Sequence, residues 1–276
     1  MSTPATEPPS VSSPTPSSRK KRRRDGLGRR ETWLLRGLSV LAILVAWELY
    51  GRSTNPILFT YPTAVARAAV AMTLDGSLLT ALSQSLSVLA AGLALGATAG
   101  IALGLLAGRS AVAAALMEIP VNALYATPMV ALIPVLVLWF GFGATAKIVV
   151  ITLFVIFPVL INATRGVREV DTKLIEVARS FGSSERQLWR DLVLPSALPF
   201  IVTGLRLAIG RGLIGVVVAE FYTAFSGLGY LIVKNANSFQ TDRTFVPIVV
   251  LAVLGIALTG LLEWIEGRMA PWRSAG

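Results

Sequence analysis

Six stretches of mostly apolar residues, each near the length that crosses a lipid bilayer, constrain the fold of this chain more than any other feature. A membrane-spanning helix needs about 20 such residues. The stretches are Trp33–Tyr50, Ser85–Ala107, a run within Ala111–Phe140, Thr145–Ala163, Phe200–Phe221 and Val246–Trp264. With 54% hydrophobic and only 14% charged residues, the chain is too apolar for one soluble domain. We therefore predict an all-α integral membrane protein with about six transmembrane helices.

The third stretch differs from the others because it contains Pro120, Pro128 and Pro134. Proline removes a helical hydrogen bond and clashes with the preceding turn, so this span is predicted to be bent or broken. Broken backbone is tolerated at membrane depth where it lines a cavity, which makes Ala126–Pro134 a candidate part of a pathway. Between the first two spans, Asn55–Thr80 is predicted to be an external linker with a short helix on the surface.

The N-terminal segment is rich in cations. Residues 1–18 are rich in Pro, Ser and Thr and are predicted to be disordered, and Arg19–Arg30 then holds eight cations. Such a run can bind nucleic acid or anionic lipid, but before a first span it is more typical of a cytoplasmic retention signal. With the N-terminus inside, 18 of the 25 Lys and Arg residues fall in cytoplasmic segments and five outside. We expect a multi-pass protein of the bacterial inner membrane with both termini in the cytoplasm.

The chain contains no His and no Cys. This excludes Cys/His zinc sites, disulfides, and Ser-His-Asp or Cys-His catalysis. The nearest approach to a phosphate-binding Gly-x4-Gly-Lys-Ser/Thr loop is Gly141–Lys147, which has no Gly before the Lys and no Ser or Thr after it. We expect no enzyme activity in this chain and no cofactor, so any dependence on ATP has to come from a partner.

Glycine recurs every four residues in the second span, at Gly92, Gly96, Gly100, Gly104 and Gly108. Small residues at this spacing let two helix backbones approach closely within a membrane. The pattern indicates a helix-packing stripe, either within one subunit or against a second copy of the chain.

A polar, charged interval separates the fourth and fifth spans. Helical spacing places Leu174, Ile175, Ala178 and Phe181 on one apolar face, and Leu188, Trp189, Leu192 and Val193 on a second. Gly182 suits the end of the first helix, Ser183 or Ser184 can cap the second, and Glu185 suits its first turn. We expect Pro195 to stop the second helix and Pro199 to start the fifth span. The pattern alone fits both a helix pair on lipid headgroups and a docking surface for a soluble partner.

The same interval resembles the EAA motif of ABC importer permeases. That motif reads Glu-Ala-Ala, three residues, Gly, nine residues, Ile-x-Leu-Pro, and it is matched here by Glu176, Ala178, Gly182, Leu192, Leu194 and Pro195. Val177 replaces the second Ala and Leu192 replaces Ile. From about Leu79 onward the chain is similar to the permeases for sulfonates, taurine, nitrate and related anions, and some thiamine precursors. Further matching stretches are Trp139–Gly143 with Lys147, and Gly227–Ile232.

The resemblance implies a type I ABC importer permease fold with a cytoplasmic coupling-helix loop at about residues 166–198. It implies a transmembrane permease subunit, paired with a second copy, that forms the pathway for a small solute, with an anion such as a sulfonate, taurine or nitrate expected. Two ABC ATPase subunits would bind ATP and Mg, and an external substrate-binding protein would deliver the solute; nucleic acid is not an expected partner. ATPase coupling would fall on Glu176, Val177, Ala178, Arg179, Ser180, Phe181, Gly182, Leu194 and Pro195.

The expected domain organisation is a basic cytoplasmic tail at residues 1–31, a first transmembrane helix and external linker at 32–78, and the permease core at 79–276. Within the core, ionisable residues inside spans are candidates for function. Arg206, Arg211 and Glu220 lie in the fifth span and Glu118 near the start of the third. The arginines can line the path of an anion, or Arg206 can extend to the interface; Glu220 can instead form a structural ion pair or a gate contact.

Three classes of protein remain to be compared. A permease of an ATP-driven importer is favoured, for an anion or for a thiamine-precursor-like solute. A secondary transporter that works without an ATPase is the second class, which internal inverted repeats would favour. An integral membrane enzyme is disfavoured because the chain lacks His, Cys and clustered carboxylates.

Overall fold

The computed structural model describes residues 28–223 and 225–269, and every regular element in these residues is a helix. The predicted disordered tail and most of the basic run Arg19–Arg30 lie outside the described residues. The helices are α1 (Arg29–Ser53), α2 (Pro62–Leu74), α3 (Ser77–Arg109), α4 (Ala111–Ala126), α5 (Met129–Phe140), α6 (Ala144–Arg168), α7 (Thr172–Ser180), α8 (Glu185–Leu188), α9 (Leu194–Thr223), α10 (Leu228–Asn237) and α11 (Thr241–Met269).

Five helical segments are long and apolar enough to cross a membrane, and a bent pair, α4 with α5, brings the number to six. The all-α membrane fold is confirmed. Contacts divide the chain after Val45. The packing described below lies within residues 46–269, and the domain boundaries expected near residues 31 and 78 stay predictions.

The predicted break in the third span falls between Thr127 and Pro128, where α4 and α5 meet at 98°. The backbone of Thr127 is extended, with φ −70° and ψ 132°, as steric contact with a following proline requires. Pro120 and Pro134 lie inside α4 and α5 without ending them. The bend is confirmed, and Pro128 is the proline that causes it.

The glycine stripe of α3 packs against α6 of the same chain. A Cβ atom added to Gly96 would lie 2.7 Å from the Cβ of Val155, and one added to Gly104 would lie 2.6 Å from the Cβ of Ala163. The stripe pairs Gly92, Gly96, Gly100, Gly104 and Gly108 with Ile151, Val155, Val159, Ala163 and Val167 in the same order. The residue numbers of the contacting pairs increase together along both helices, so α3 and α6 run parallel.

This parallel pairing determines the path of the chain between the two helices. The end of α3 and the end of α6 lie on one side, so α4 and α5 together cross the bundle once, as a broken span. α9 runs back along α6, since Gly204 packs on Pro158 and Gly215 on Phe154. α11 runs antiparallel to α9, with Arg206 near Glu266 and Leu213 near Gly255.

The bundle therefore has two ends. One carries the C-terminal ends of α3, α6 and α11 together with residues 169–184, and is called the loop end. The other carries α2, α10 and the start of α3, and is called the α10 end. There α2 is docked rather than lying free, because Val65, Ala68 and Met72 are buried in a cluster with Leu228 and Val246.

Candidate functional site

The first helix of the polar interval, α7, has a defined beginning and end. Asp171 caps it, and the Asp171 carboxylate accepts a 2.9 Å hydrogen bond from the Lys173 backbone N–H. The helix ends at Gly182, whose φ of +79° is the left-handed conformation that glycine adopts at least cost. The predicted role of Gly182 as the bend after this helix is confirmed.

The second helix begins as predicted but does not stop where predicted. Ser184 forms a capping box with Gln187, which fixes the start of α8. A π-helical turn, Trp189–Val193, then leads directly into α9, so residues Glu185–Thr223 form one continuous helix. The expected stop at Pro195 and new start at Pro199 are wrong. In the π-helical turn the Leu194 N–H bonds to the Trp189 carbonyl, five residues back, and this wider register leads into the position of Pro195 without breaking the helix.

The inward side of this element is a small apolar cluster. Val170, Leu188 and Val193 are buried in it, and Ile175 and Ala178 of α7 pack against it. Trp189 and Leu192 complete the predicted second face.

The outward side of α7 differs from the prediction. Leu174 is 52% exposed and Phe181 is 87% exposed, so neither belongs to the inward face with Ile175 and Ala178. Together with Val177, which is also 52% exposed, they occupy positions i, i+3 and i+7 and form a second apolar stripe. We call Leu174, Val177 and Phe181 the exposed stripe. Helical spacing alone could not distinguish the inward face from the exposed stripe, because it does not show which side of so short a helix is covered by neighbouring residues.

Two contacts hold the element in place. Arg179 and Glu185 form a 2.9 Å ion pair across the bend at Gly182. The guanidinium of Arg109, at the end of α3, lies 5.3 Å from the ring centroid of Trp189. Among the other motif residues, Glu176, Ser180, Leu194 and Pro195 are exposed. The motif residues thus form a braced surface at the loop end.

Arg211 occupies a different place, halfway along α9 at the break between α4 and α5. Its guanidinium donates a 2.8 Å hydrogen bond to the Tyr125 hydroxyl and lies 4.8 Å from that ring's centroid. Within the described residues no carboxylate pairs with it. It lines a cavity of about 320 Å³ together with Thr127 and Met129 at the break. This Arg211 cavity brings together the predicted cation and the predicted broken backbone.

Arg206 and Glu220 have other surroundings. Arg206 lies 3.1 Å from Glu266 and 3.6 Å from Glu263, so it joins α9 to α11 as a structural ion pair. Glu220 is fully buried. The part that Arg206 and Glu220 were expected to play in a pathway stays a prediction.

Glu220 is the centre of a buried polar network at the α10 end. Its carboxylate accepts hydrogen bonds from the Ser85 hydroxyl and from the Gly229 backbone N–H, both at 2.7 Å. Ser85 in turn accepts a 2.8 Å bond from the Leu228 N–H. Nearby, the buried Lys147 ammonium donates to the Ser226 carbonyl and hydroxyl, both at 2.8 Å. The network ties α3, α6 and α9 to the start of α10.

Sequence reasoning missed Tyr125 and Ser85. Tyr125 is an aromatic residue just before the Thr-Pro break, and a polar aromatic beside a broken span is a usable signal. Ser85 carries no such signal, because its partner Glu220 lies 135 residues away.

Comparisons with known proteins agree with this architecture. Residues 100–271 match the family described as binding-protein-dependent transport system inner membrane component. The protein named aliphatic sulfonates transport permease protein SsuC of Bacillus subtilis (strain 168) is 33% identical over 90% of this chain and 91% of its own. The taurine transport system permease protein TauC of Escherichia coli (strain K12) is 37% identical over 55% of this chain and 56% of its own. The formylaminopyrimidine transport permease protein ThiX of Halalkalibacterium halodurans is 32% identical over 86% of this chain and 94% of its own.

The fold also matches a solved structure. A chain of the inward-facing MetNI methionine ABC transporter superposes with a TM-score of 0.55 at 20% identity, over 72% of this chain and 97% of that one. A permease fold is thus shown by structure as well as by sequence. The chain belongs to the family of binding-protein-dependent transport system inner membrane components and is a transport permease of the ABC importer class.

Proposed function

We propose that α7, the bend at Gly182 and α8 form the surface through which a separate ATPase subunit drives this permease. The observation that carries the proposal is the exposed stripe. Three apolar side chains face outward from a polar, braced element, although this element is too polar to lie within lipid. Two copies of the chain would form the pathway, two ATPases would bind ATP and Mg, and an external binding protein would deliver the solute.

The distribution of cations supports a cytoplasmic loop end. Among the described residues of the bundle, nine Lys or Arg residues lie toward the loop end and five toward the α10 end. The first group is Arg109, Arg165, Arg168, Lys173, Arg179, Arg186, Arg190, Arg206 and Arg268, and the second is Arg52, Arg67, Lys147, Lys234 and Arg243. Cytoplasmic segments of membrane proteins carry such an excess. We accordingly propose, as expected from the sequence, that both termini lie in the cytoplasm.

The docking role is tested by removing the apolar character of the stripe. The double variant Leu174→Ser/Phe181→Ser should reduce the amount of ATPase that co-purifies with the affinity-tagged chain at least about tenfold, because a few side chains buried at the centre of an interface carry most of its binding energy. Lys173→Ser, an exposed polar position on the same helix, is the control. Full recovery of the ATPase with the double variant, in a correctly inserted protein, would show that the stripe contacts something else.

The solute is proposed to be a small organic sulfonate or a related anion. SsuC and TauC are named for such solutes, and Arg211, which has no carboxylate partner in the part of the chain that the structure describes, offers a cation beside the helix break. ThiX is named for a formylaminopyrimidine, which is the second candidate. Uptake into proteoliposomes of radiolabelled ethanesulfonate, taurine and formylaminopyrimidine, each delivered by the cognate binding protein, separates the two. Transport that continues after ATP depletion would instead favour a secondary transporter.

A further inference from the structure

A second cavity lies next to the Arg211 cavity, on the side of the loop end. Of about 440 Å³, it is lined by Val121 and Asn122 of α4 and by Leu160 and Ile161 of α6, and it extends to Arg165 and Arg168 at the loop end. We call it the Arg165 cavity. The Arg211 cavity is lined by Tyr125 and Phe157, one helical turn further along the same two helices. The two cavities therefore follow one another along the groove between α4 and α6.

An aromatic pair lies at the end of the Arg211 cavity that is nearest to the Arg165 cavity. The ring centroids of Tyr125 and Phe157 lie 6.3 Å apart, with the ring planes at 54°. Both rings line the Arg211 cavity and neither lines the Arg165 cavity. Phe157 is only 6% exposed and so is held by its surroundings, whereas Tyr125 is 39% exposed. Tyr125 is the ring of this pair that has room to move.

Tyr125 is held in place by the cation that is proposed to meet the solute. The Arg211 guanidinium donates to the Tyr125 hydroxyl and also lies over its ring. A sulfonate offers several anionic oxygens to the same N–H donors, and a guanidinium can bind such an oxyanion through two parallel hydrogen bonds as well as by charge attraction, whereas the neutral phenol offers one oxygen. An anion in the Arg211 cavity would therefore compete with the phenol for the guanidinium.

The Arg165 cavity suits release rather than capture. Its two arginines are accompanied by two carboxylates, Glu118 and Glu169, and Arg165 pairs with Glu169 at 3.4 Å. The charges in this cavity balance, whereas the Arg211 cavity carries one positive charge. A solute that has to leave requires such a weaker second position.

We propose that Tyr125 and Phe157 form an anion-operated barrier: a small oxyanion bound at Arg211 displaces the Tyr125 hydroxyl, and the freed ring opens the way to the Arg165 cavity. The inference rests on the proposed function in that the solute is taken to be an anion. It adds a binding position, a release position and a named barrier between them.

Cysteine labelling tests the barrier, because the native chain contains no cysteine and an introduced thiol is the only one that it carries. Labelling is read on this chain after electrophoresis has separated it from its partner subunits. Val130→Cys lies in the Arg211 cavity and Asn122→Cys in the Arg165 cavity. Both are labelled in the full transporter, in inside-out vesicles, with the sulfonate reagent sulfonatoethyl methanethiosulfonate. Adding Tyr125→Phe should speed labelling of Val130→Cys about tenfold and leave Asn122→Cys unchanged.

Tyr222→Phe is the matched control, since it removes a hydroxyl on the same helix as Arg211 from a residue that lines neither cavity. An unchanged labelling rate at Val130→Cys in the Tyr125→Phe background would overturn the barrier. Equal acceleration by Tyr222→Phe would do the same, because the effect would then not depend on the bond to Arg211.

A second comparison separates this outcome from failure of the anion assignment. Arg211→Gln is compared at Val130→Cys with the sulfonate reagent and with its trimethylammonium counterpart. If Arg211 attracts anions, the ratio of anionic to cationic labelling should fall about tenfold. An unchanged ratio would refute the anion assignment at Arg211 even where Tyr125→Phe opens the barrier, and a fallen ratio without an effect of Tyr125→Phe would refute the barrier alone.

Discussion

The Ser85 hydroxyl donates a 2.7 Å hydrogen bond to the buried Glu220 carboxylate and so connects the start of α3 to the end of α9. Because Ser85 also accepts the Leu228 N–H, one hydroxyl satisfies two buried groups at once. The pair joins three elements at the α10 end, and its loss would expose unpaired polar atoms to an apolar interior.

Ser85→Ala should therefore destabilise the protein by about 1–3 kcal/mol, the usual cost of buried hydrogen-bonding groups left without a partner. The measurement is the melting temperature in detergent, followed by size-exclusion chromatography after heating. Ser87→Ala, which removes a hydroxyl that bonds only within its own helix turn, should leave the temperature unchanged. Equal melting temperatures of the two variants would show that the hydrogen bonds of Ser85 contribute little to the stability of the protein.

Gly96→Ala should disturb the parallel pairing of α3 and α6. The added methyl would lie 2.7 Å from Val155 and 2.9 Å from the Thr152 carbonyl oxygen, and one of these is backbone that cannot turn away. Overpacking of this kind costs about 1–3 kcal/mol. Gly260→Ala in α11, where a Cβ would meet nothing within 4 Å, is the control and should be neutral or slightly stabilising. Thermal unfolding of both variants in the same detergent measures the difference.

Gly182→Ala should weaken coupling without preventing membrane insertion. An alanine at φ +79° carries about 1–2 kcal/mol of strain, although a Cβ there meets no other atom. The strain should change the angle between α7 and α8, so the ATP hydrolysed per solute transported should rise. Gly210→Ala, a helical glycine with equal open space, is the control. Unchanged coupling in Gly182→Ala would mean that the bend tolerates other angles.

Arg206→Gln should affect mainly the stability of the protein, whereas Arg211→Gln should affect mainly the uptake of the solute. Arg206 pairs with two carboxylates of α11 and is partly exposed, so its loss should cost less than about 1 kcal/mol of stability and leave the preference among solutes intact. Arg211→Gln should reduce uptake of ethanesulfonate about tenfold or more. Competition uptake with taurine and formylaminopyrimidine measures the preference. A changed preference in Arg206→Gln would place that residue in the pathway.

The sequence predicted the number of spans and the position of the break, because apolar length and proline both act locally. It also predicted the bend at Gly182 and a cap at Ser183 or Ser184 for the same reason. It did not predict which helix packs against the glycine stripe of α3, since the parallel pairing of α3 with α6 depends on residues about 60 positions apart.

The same distinction holds within the site. A continuous α8–α9 helix was not predicted, because the effect of Pro195 depends on the π-helical turn before it. Arg206, Arg211 and Glu220 are equivalent as ionisable residues of one span, and only their partners on other helices separate them. Those partners, Glu266, Tyr125 and Ser85, all come from distant parts of the chain.

The unbroken helix from Glu185 to Thr223 has a mechanical consequence. At 1.5 Å per residue, about 40 Å of continuous helix separates the start of α8 from Arg211. Because no loop interrupts this helix, a displacement at one end is passed along it, with bending confined to the π-helical turn and the two prolines near its start. Displacement of α8 by the proposed ATPase subunit would therefore also displace the guanidinium of Arg211, which is the group that binds the Tyr125 hydroxyl.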